Sequence, residues 1–185
     1  MKIKGTAVKT TPEYIKKFHP DKYNDWLSKL PPDSRQIMSQ PIIATDWYPL
    51  TESVTIPTQV IAEMFFNHDE EKAARTLGGY SAETALKGVY KIFIMISTPA
   101  FMLSRATSIF ATYYRPSEIR VVGSGSNHAI LEIKGFEKKD SSAAFRIAGW
   151  MERALEFIKK MNVESKVELI EEKGNSKINV NLKWN

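Results

Sequence analysis

The stretch SSAAFRIAGWMERALEFIKK, at residues 141–160, decides the fold because it predicts a helix with one buried face. Apolar residues recur at the spacing of a helical turn and form one broad face: Ala144, Ile147, Met151, Ala154, Leu155 and Ile158, with Trp150 and Phe157 at its border. Charged residues fall on the opposite face: Arg146, Glu152, Arg153, Glu156 and Lys159. Side-chain oxygens of Asp140, Ser141 and Ser142 are expected to cap its first turn. The helix is therefore expected to pack on a core with its charged face in solvent.

The spacing of apolar residues changes from helical to alternating on both sides of this helix. Residues 118–136 form two alternating runs joined by a glycine-rich turn, with Ile119 and Val121 on the apolar face. Residues 166–184 repeat the arrangement, with Leu169 on the apolar face of the first run. Two hairpins with one apolar face each predict an antiparallel sheet that carries the helix on one side.

Residues 1–115 predict a helical lobe. A short strand or ordered arm at residues 2–9 is followed by short helices that prolines and capping residues delimit. Gly78 and Gly79 are expected to end one of these helices. Residues 81–114 then predict two helices that are apolar around much of their girth, so we expect them to be the most buried helices of the chain.

Together these patterns predict a single α+β domain, residues 1–185, with a mainly helical lobe at 1–115 and a ββαββ lobe at 116–185. The chain of 185 residues is long enough to bury a core without disulfides. The absence of cysteine excludes disulfide frameworks, zinc–cysteine sites and thiol nucleophiles. No apolar run is long enough to cross a bilayer, so we expect a cytoplasmic protein without a membrane partner.

Charge and motif spacing argue against several classes of function. The formal charge of +5, from 26 basic and 21 acidic residues, is spread along the chain, which favours a solvated surface over nucleic-acid binding. His19, His68 and His128 occur singly, with no partner at the spacing of a catalytic triad. The run HDEE at residues 68–71 is more typical of a helix start than of a metal site. We therefore expect no enzyme, no metal and no nucleic-acid partner.

Aromatic and methionine residues are concentrated between residues 90 and 114. Such a group either fills a core or lines a pocket for a flat or lipid-like ligand, and spacing does not separate the two. Arg105, in this otherwise apolar segment, either lies on an exposed side or reaches a buried carboxylate or an anionic ligand. The candidate ligand-binding residues come from this segment and from the 141–160 helix: Tyr90, Phe93, Phe101, Met102, Arg105, Ile109, Phe110, Tyr113 and Trp150.

Several segments together resemble a bacterial family of unknown function first catalogued in myxobacteria. That family is related to the H-NOX (heme nitric oxide/oxygen binding) domains, the 4-vinyl reductase domain and the TRAPP trafficking subunits. The segments cover nearly the whole chain: KGTAVKTTPEYIKKFHPDKYNDWLSKLPP at 4–32, DWYPL at 46–50, EEKAARTLGGYSAETALKGVYKIF at 70–93, YYRPS at 113–117, GWMERALEF at 149–157 and INVNLKW at 178–184. The resemblance implies an α+β fold with an N-terminal helical lobe and a C-terminal sheet and helix.

The resemblance also bears on cofactors. H-NOX members hold heme through a histidine on the helix before the first hairpin and through a Tyr-x-Ser-x-Arg motif on that hairpin's second strand. This chain has no histidine between Asp69 and Asn127, and the corresponding strand, ILEIKGF at residues 130–136, lacks the motif. The cysteines that mark 4-vinyl reductase relatives are missing too. We therefore expect no cofactor, and no heme held in the family manner.

Two functions remain open on the sequence. The first is a non-catalytic sensory or ligand-binding domain that holds a small apolar molecule between the helices at 81–114 and the sheet, and passes its occupancy to a protein partner. The second is a scaffold or homodimerisation module resembling the TRAPP subunits, whose core is filled by its own side chains.

Overall fold

The computed structural model describes residues 1–86, 98–116, 118–136, 138–158, 162–172 and 175–185. The helices are α1 Gly5–Val8, α2 Thr10–Phe18, α3 Tyr23–Lys29, α4 Pro32–Ser39, α5 Ile56–Phe65, α6 Glu70–Ala85, α7 Pro99–Tyr113 and α8 Ser141–Glu156. The strands are β1 Lys2–Lys4, β2 Trp47–Pro49, β3 Tyr114–Arg115, β4 Glu118–Ser124, β5 His128–Lys134, β6 Val163–Glu172 and β7 Asn175–Trp184. Among the described helices, none has the length and apolar character that crossing a membrane requires.

A helical lobe precedes an antiparallel sheet, which confirms the predicted α+β class. The sheet has the order β4-β5-β7-β6, so the two predicted hairpins lie side by side and are joined through β5 and β7. Their inward residues Leu131, Val180 and Leu182 are buried beneath α8. Val121 and Leu169, which alternation placed on the apolar face, are instead exposed. Both lie on the edge strands of this sheet, and the pairing of β4 shifts register just after Val121.

The start of the chain is held by a second, three-stranded sheet. β1 pairs antiparallel with β2 on one side and with β3 on the other. The side chain of Ile3 is fully buried there. The predicted arm at residues 2–9 is therefore a three-residue strand that continues directly into α1. This pairing also holds β1 beside α7, and the two elements contact each other.

Helices α6 and α8 cross with their backbones in contact. A Cβ atom at Gly78 would collide with the carbonyl oxygen of Arg146, and one at Gly149 would lie 2.6 Å from Cα of Arg75. The prediction that Gly78 and Gly79 end a helix is therefore wrong, because α6 runs through both to Ala85. Gly78 and Gly149 need glycine for the close approach of two helices and not for a turn.

Burial also differs from the sequence prediction. In α7, Phe110 is the one buried residue among those whose side chains are described, while α6 and α8 bury residues along their whole lengths. Of the two helices predicted at 81–114, the second is therefore not among the most buried, since α7 lies at the margin of the sheet. Residues 87–97 of the first lie outside the described residues. The start of α8 differs as well. Asp140 is buried and accepts hydrogen bonds from the Thr51 and Thr55 hydroxyls (3.0 and 2.9 Å) instead of capping the helix.

Candidate functional site

A cavity that is partly open to solvent lies between α7, α8 and the inner face of the larger sheet. Its volume is about 90 Å³. Most of the walls are aliphatic, aromatic or thioether side chains from α7, α8, β5 and β7, with contributions from α1, β3 and α6: Ala7, Ser81, Met102, Leu103, Ile109, Phe110, Tyr113, Tyr114, Leu131, Arg146, Ile147, Trp150, Met151, Ala154, Leu155 and Leu182. The cavity thus lies where the sequence predicted a pocket, between the second apolar helix and the sheet.

The structure brings five of the nine candidate residues together at this cavity: Met102, Ile109, Phe110, Tyr113 and Trp150. Phe101 and Arg105 do not line it, because both lie on the outer side of α7. The Phe101 side chain is 51% exposed, and the Arg105 guanidinium lies 5.5 Å from its ring centroid. Of the two alternatives that the sequence left open for Arg105, the structure shows the first: the side chain lies on the exposed side of its helix. Tyr90 and Phe93 lie outside the described residues.

The Arg146 side chain lines the cavity although the sequence placed it on the solvent face. It is 2% exposed. Nη1 donates to the Thr11 hydroxyl (2.8 Å), and Nη2 donates to the carbonyl oxygen of Ala7 (2.9 Å) and to the Thr10 hydroxyl (2.8 Å). All three acceptors are neutral. Within the described residues no carboxylate pairs with this guanidinium, and burial lowers the pKa of Arg146.

The sequence prediction failed for Arg146 because both faces of α8 are covered. One face packs on the sheet. The other packs on α6 and, through the hydrogen bonds of Arg146, contacts α1 and α2. A signal was present in α6, where the small residues Ala74, Gly78 and Ala82 recur every four positions and permit another helix to approach closely. That pattern indicates that the apparently polar face of a neighbouring helix is covered as well.

Two stacked aromatic rings, Phe110 and Tyr114, form part of the cavity wall. The rings of Phe110 and Tyr114 stack with centroids 4.7 Å apart, and Phe136 packs against both of them. Burial raises the pKa of Tyr114 to about 12, an effect that the positive charge of Arg146 partly offsets. The Tyr114 phenol therefore stays protonated at neutral pH and remains a hydrogen-bond donor.

The three histidines all lie away from the cavity. His19 stacks on Phe65 with ring centroids 4.0 Å apart, and His68 and His128 are exposed. Over the described ranges, no group of three or more His, Asp or Glu side chains is arranged to hold a metal ion. The cavity therefore offers hydrogen-bond donors and apolar surface, and no histidine.

Comparison with solved structures shows that the chain has the fold of H-NOX domains. A mutant of the Fe(II) unliganded H-NOX protein from K. algicida superposes with a TM-score of 0.73 at 14% identity, covering 98% of this chain and 96% of that one. A T. tengcongensis H-NOX mutant gives a TM-score of 0.61 at 16% identity over 98% and 97% of the two chains. A structure from work on heme distortion in the H-NOX family gives 0.71 at 16% identity, covering 98% and 95%. No family model and no curated protein matches the chain.

Proposed function

We propose that the chain is a non-catalytic, small-molecule-binding sensory domain whose ligand occupies the cavity between α7, α8 and the sheet. The observation that carries this proposal is the cavity of about 90 Å³ itself, in which apolar walls surround a few polar groups. Ligand sites in proteins commonly have this composition. Membership of the bacterial family of unknown function named above belongs to the same proposal and rests on the quoted segments.

The size and walls of the cavity indicate the size of ligand. A volume of about 90 Å³ is below the range of pockets for drug-sized ligands, about 300 to 1,000 Å³. Met102 and Met151 form part of the wall, and their unbranched thioethers adapt to the shape of a guest. We infer a ligand of roughly benzene size, since dry apolar cavities of about 150 Å³ accept benzene.

We further propose that the ligand is not a heme bound through its iron. Two of the solved neighbours come from work on heme distortion and on porphyrin distortion, but the residues of this chain do not fit that group. No histidine lines the cavity. Tyrosine ligation needs a tyrosinate, and burial opposes this form at Tyr114 by raising its pKa to about 12. A hemin titration that gives a sharp Soret band at one equivalent, lost in Tyr114→Phe, would overturn this part of the proposal.

The test uses benzene as a neutral probe and methionine-methyl NMR as a readout of position. Met102 and Met151 line the cavity, whereas Met38 is buried in the helical lobe away from it. In protein labelled with ¹³C at the methionine methyls, benzene is expected to shift the Met102 and Met151 signals saturably and to leave Met38 unchanged.

A pair of matched variants sharpens this test. Ala154→Leu adds three carbons to the cavity wall, and Ala111→Leu makes the same change on the exposed side of α7. Benzene binding should be lost in Ala154→Leu and kept in Ala111→Leu. If benzene leaves both cavity methionines unshifted in the wild type, the cavity is not a binding site.

One observation favours the second candidate, the interaction module. Phe101 (51% exposed) and Val122 (54% exposed) lie on α7 and β4, two elements that pack against each other. Exposed apolar residues in one area are typical of protein interfaces. If they form a homodimer contact, light scattering should give twice the chain mass for the wild type and the single mass for Phe101→Ser. A wild type that stays monomeric at high concentration would count against it.

A further inference from the structure

The charge at the cavity wall is unusual for this protein. Arg75, which is also largely buried, pairs with Glu71 (2.8 Å) and Glu152 (2.7 Å). Arg153, on the same helix as Arg146, pairs with Glu83 (2.7 Å) and Glu156 (2.8 Å). Arg146 is the most buried of the three, and in the described part of the chain no ion pair neutralises it. Charged residues are seldom fully buried unless they are paired.

The contacts of Arg146 orient it without neutralising it. A guanidinium has five N–H donors. The three hydrogen bonds to Ala7, Thr10 and Thr11 occupy one side of the group and, among the described residues, leave Nε and one Nη1 hydrogen without a protein acceptor. Asp140 is a buried carboxylate at the start of the same helix, but it accepts hydrogen bonds from the hydroxyls of Thr51 and Thr55 and not from Arg146. Each of these two remaining donors can form a charge-assisted hydrogen bond to an oxygen of an anion.

The rest of the cavity extends from Arg146 along α8. Trp150 and Ala154 line it one and two helical turns further on, so the apolar part spans about 12 Å of helix from the guanidinium. Tyr114 lines the same cavity and keeps its phenolic proton at neutral pH. One end of the cavity is therefore cationic and rich in donors, and the other end is apolar.

We propose that the ligand is a small carboxylic acid with an apolar body, whose carboxylate pairs with Arg146 and whose body lies along α8 toward Trp150 and Ala154. This inference rests on the proposed function, because it names the ligand class of the same cavity. An aliphatic acid and an aromatic acid share this chemistry. The carboxylate supplies the missing negative charge, and the burial of Arg146 strengthens the pair because little water reaches the guanidinium.

The test compares acids with neutral amides of the same shape. Butyrate is matched with butyramide for a chain, and benzoate with benzamide for a ring, and all four are titrated into the full chain with the Met102 and Met151 methyls as readout. We expect at least one acid to bind about tenfold or more tightly than its amide, the scale of a charge-assisted pair. A preference for butyrate over butyramide would indicate a ligand with an aliphatic body, and a preference for benzoate over benzamide one with an aromatic body.

Two variants assign this preference to Arg146. Arg146→Met keeps a long apolar side chain without the charge, so the acid should lose its advantage and bind within about twofold of the amide. Arg153→Gln removes a charge from the same helix outside the cavity and should leave the preference unchanged. If Arg146→Met does not fold, the comparison of acid with amide in the wild type still tests whether the cavity prefers a carboxylate.

The outcomes separate this inference from the function on which it rests. If benzene binds but neither acid exceeds its amide, the cavity is a binding site and Arg146 only ties α8 to the N-terminal helices, so the inference is wrong. If neither benzene nor any acid or amide shifts the cavity methionines, the proposed function fails as well. An acid preference that survives in Arg146→Met would overturn the assignment to that residue.

Discussion

Helix α8 is packed differently on its two sides. Against α6 the two backbones touch, with Gly78 beneath the carbonyl of Arg146 and Gly149 beneath the backbone of Arg75. Against α7 the contact is made by side chains and leaves the cavity of about 90 Å³. At Gly78 and Gly149 the α6 side leaves no room for a methyl group, and the α7 side holds room for a small molecule. The difference suggests that α8 contributes to stability mainly through its contact with α6 and to ligand binding through its contact with α7.

The largest effect is expected on the side where the backbones touch. In Gly149→Ala the new Cβ would lie 2.6 Å from Cα and 2.8 Å from the carbonyl carbon of Arg75, which are backbone atoms without rotamers to relieve the clash. The helices must separate, so we expect a loss of about 4 kcal/mol or more in the free energy of unfolding, at the upper end for single substitutions. Urea denaturation measures the loss.

Gly79→Ala is the matched control for that substitution. The nearest atoms to its new Cβ are 3.9 Å away, at the side chain of Arg153 and the carbonyl of Gly149. Alanine is favoured over glycine within a helix, so this variant should gain about 0.5 to 1 kcal/mol. Equal losses at positions 149 and 79 would contradict the close crossing.

A smaller loss is expected on the cavity side. Phe110 is buried, stacks on Tyr114 and lines the cavity. Phe110→Ala should cost about 3 kcal/mol, the low end for a buried aromatic, because the ring already borders empty space on one side. Phe101→Ala, at a half-exposed position of the same helix, should cost less than about 1 kcal/mol. A Phe110→Ala loss as large as that of Gly149→Ala would remove the contrast between the two sides.

The sequence predicted the fold well in the segments where apolar residues recur at a regular spacing. The hairpins and the helix between them follow from alternation and from the 3.6-residue repeat, which burial on one face of each element imposes. Gly78 was misinterpreted because glycine ends helices and also permits close crossings, and only the neighbouring helix distinguishes the two. Of the two edge-strand residues, Val121 was misplaced because local alternation gives no warning of a register shift.

The candidate site was predictable only in part, for a physical reason. Apolar lining residues such as Met102 and Phe110 follow from composition, since apolar side chains in one segment tend to come together. Arg146 does not follow, because its burial depends on α6 and on the hydroxyls of Thr10 and Thr11, far away in the sequence. A charged residue on a helix is assigned to solvent unless a second layer is known to cover it.

The pH dependence of stability above pH 10 reports in part on the cavity side. Burial raises the pKa of Tyr114 from 10.0 to about 12, while Arg146 lowers it and Tyr113 raises it. Because the folded pKa is above the unfolded one, this contribution is complete below pH 10 and is lost between about pH 10 and 12, up to about 3 kcal/mol. Urea denaturation of the wild type across that range should show the decline.

Tyr114→Phe removes this titrating group and should be less sensitive to pH over the same range. Burial also raises the pKa of Tyr14. Part of the decline therefore persists in the variant, and the prediction concerns the difference between the two proteins. If the two curves stay parallel from pH 9 to pH 12, the Tyr114 phenol is not buried beside the cavity.

The smallest effect concerns the ion pairs that flank the close crossing. Arg75 Nη1 donates to Glu152 Oε1 (2.7 Å) and to the Ser165 hydroxyl (2.7 Å), so one side chain of α6 links α8 to β6. Glu152→Gln removes the charge from a pair whose side chains are only 19% and 21% exposed, and should cost about 1 to 2 kcal/mol. Glu118→Gln, in the exposed pair with Arg120, should cost less than about 0.5 kcal/mol. Because Glu152 is on the α6 side, its loss should leave benzene binding unchanged, whereas a weakened affinity would show that the two sides of α8 are coupled.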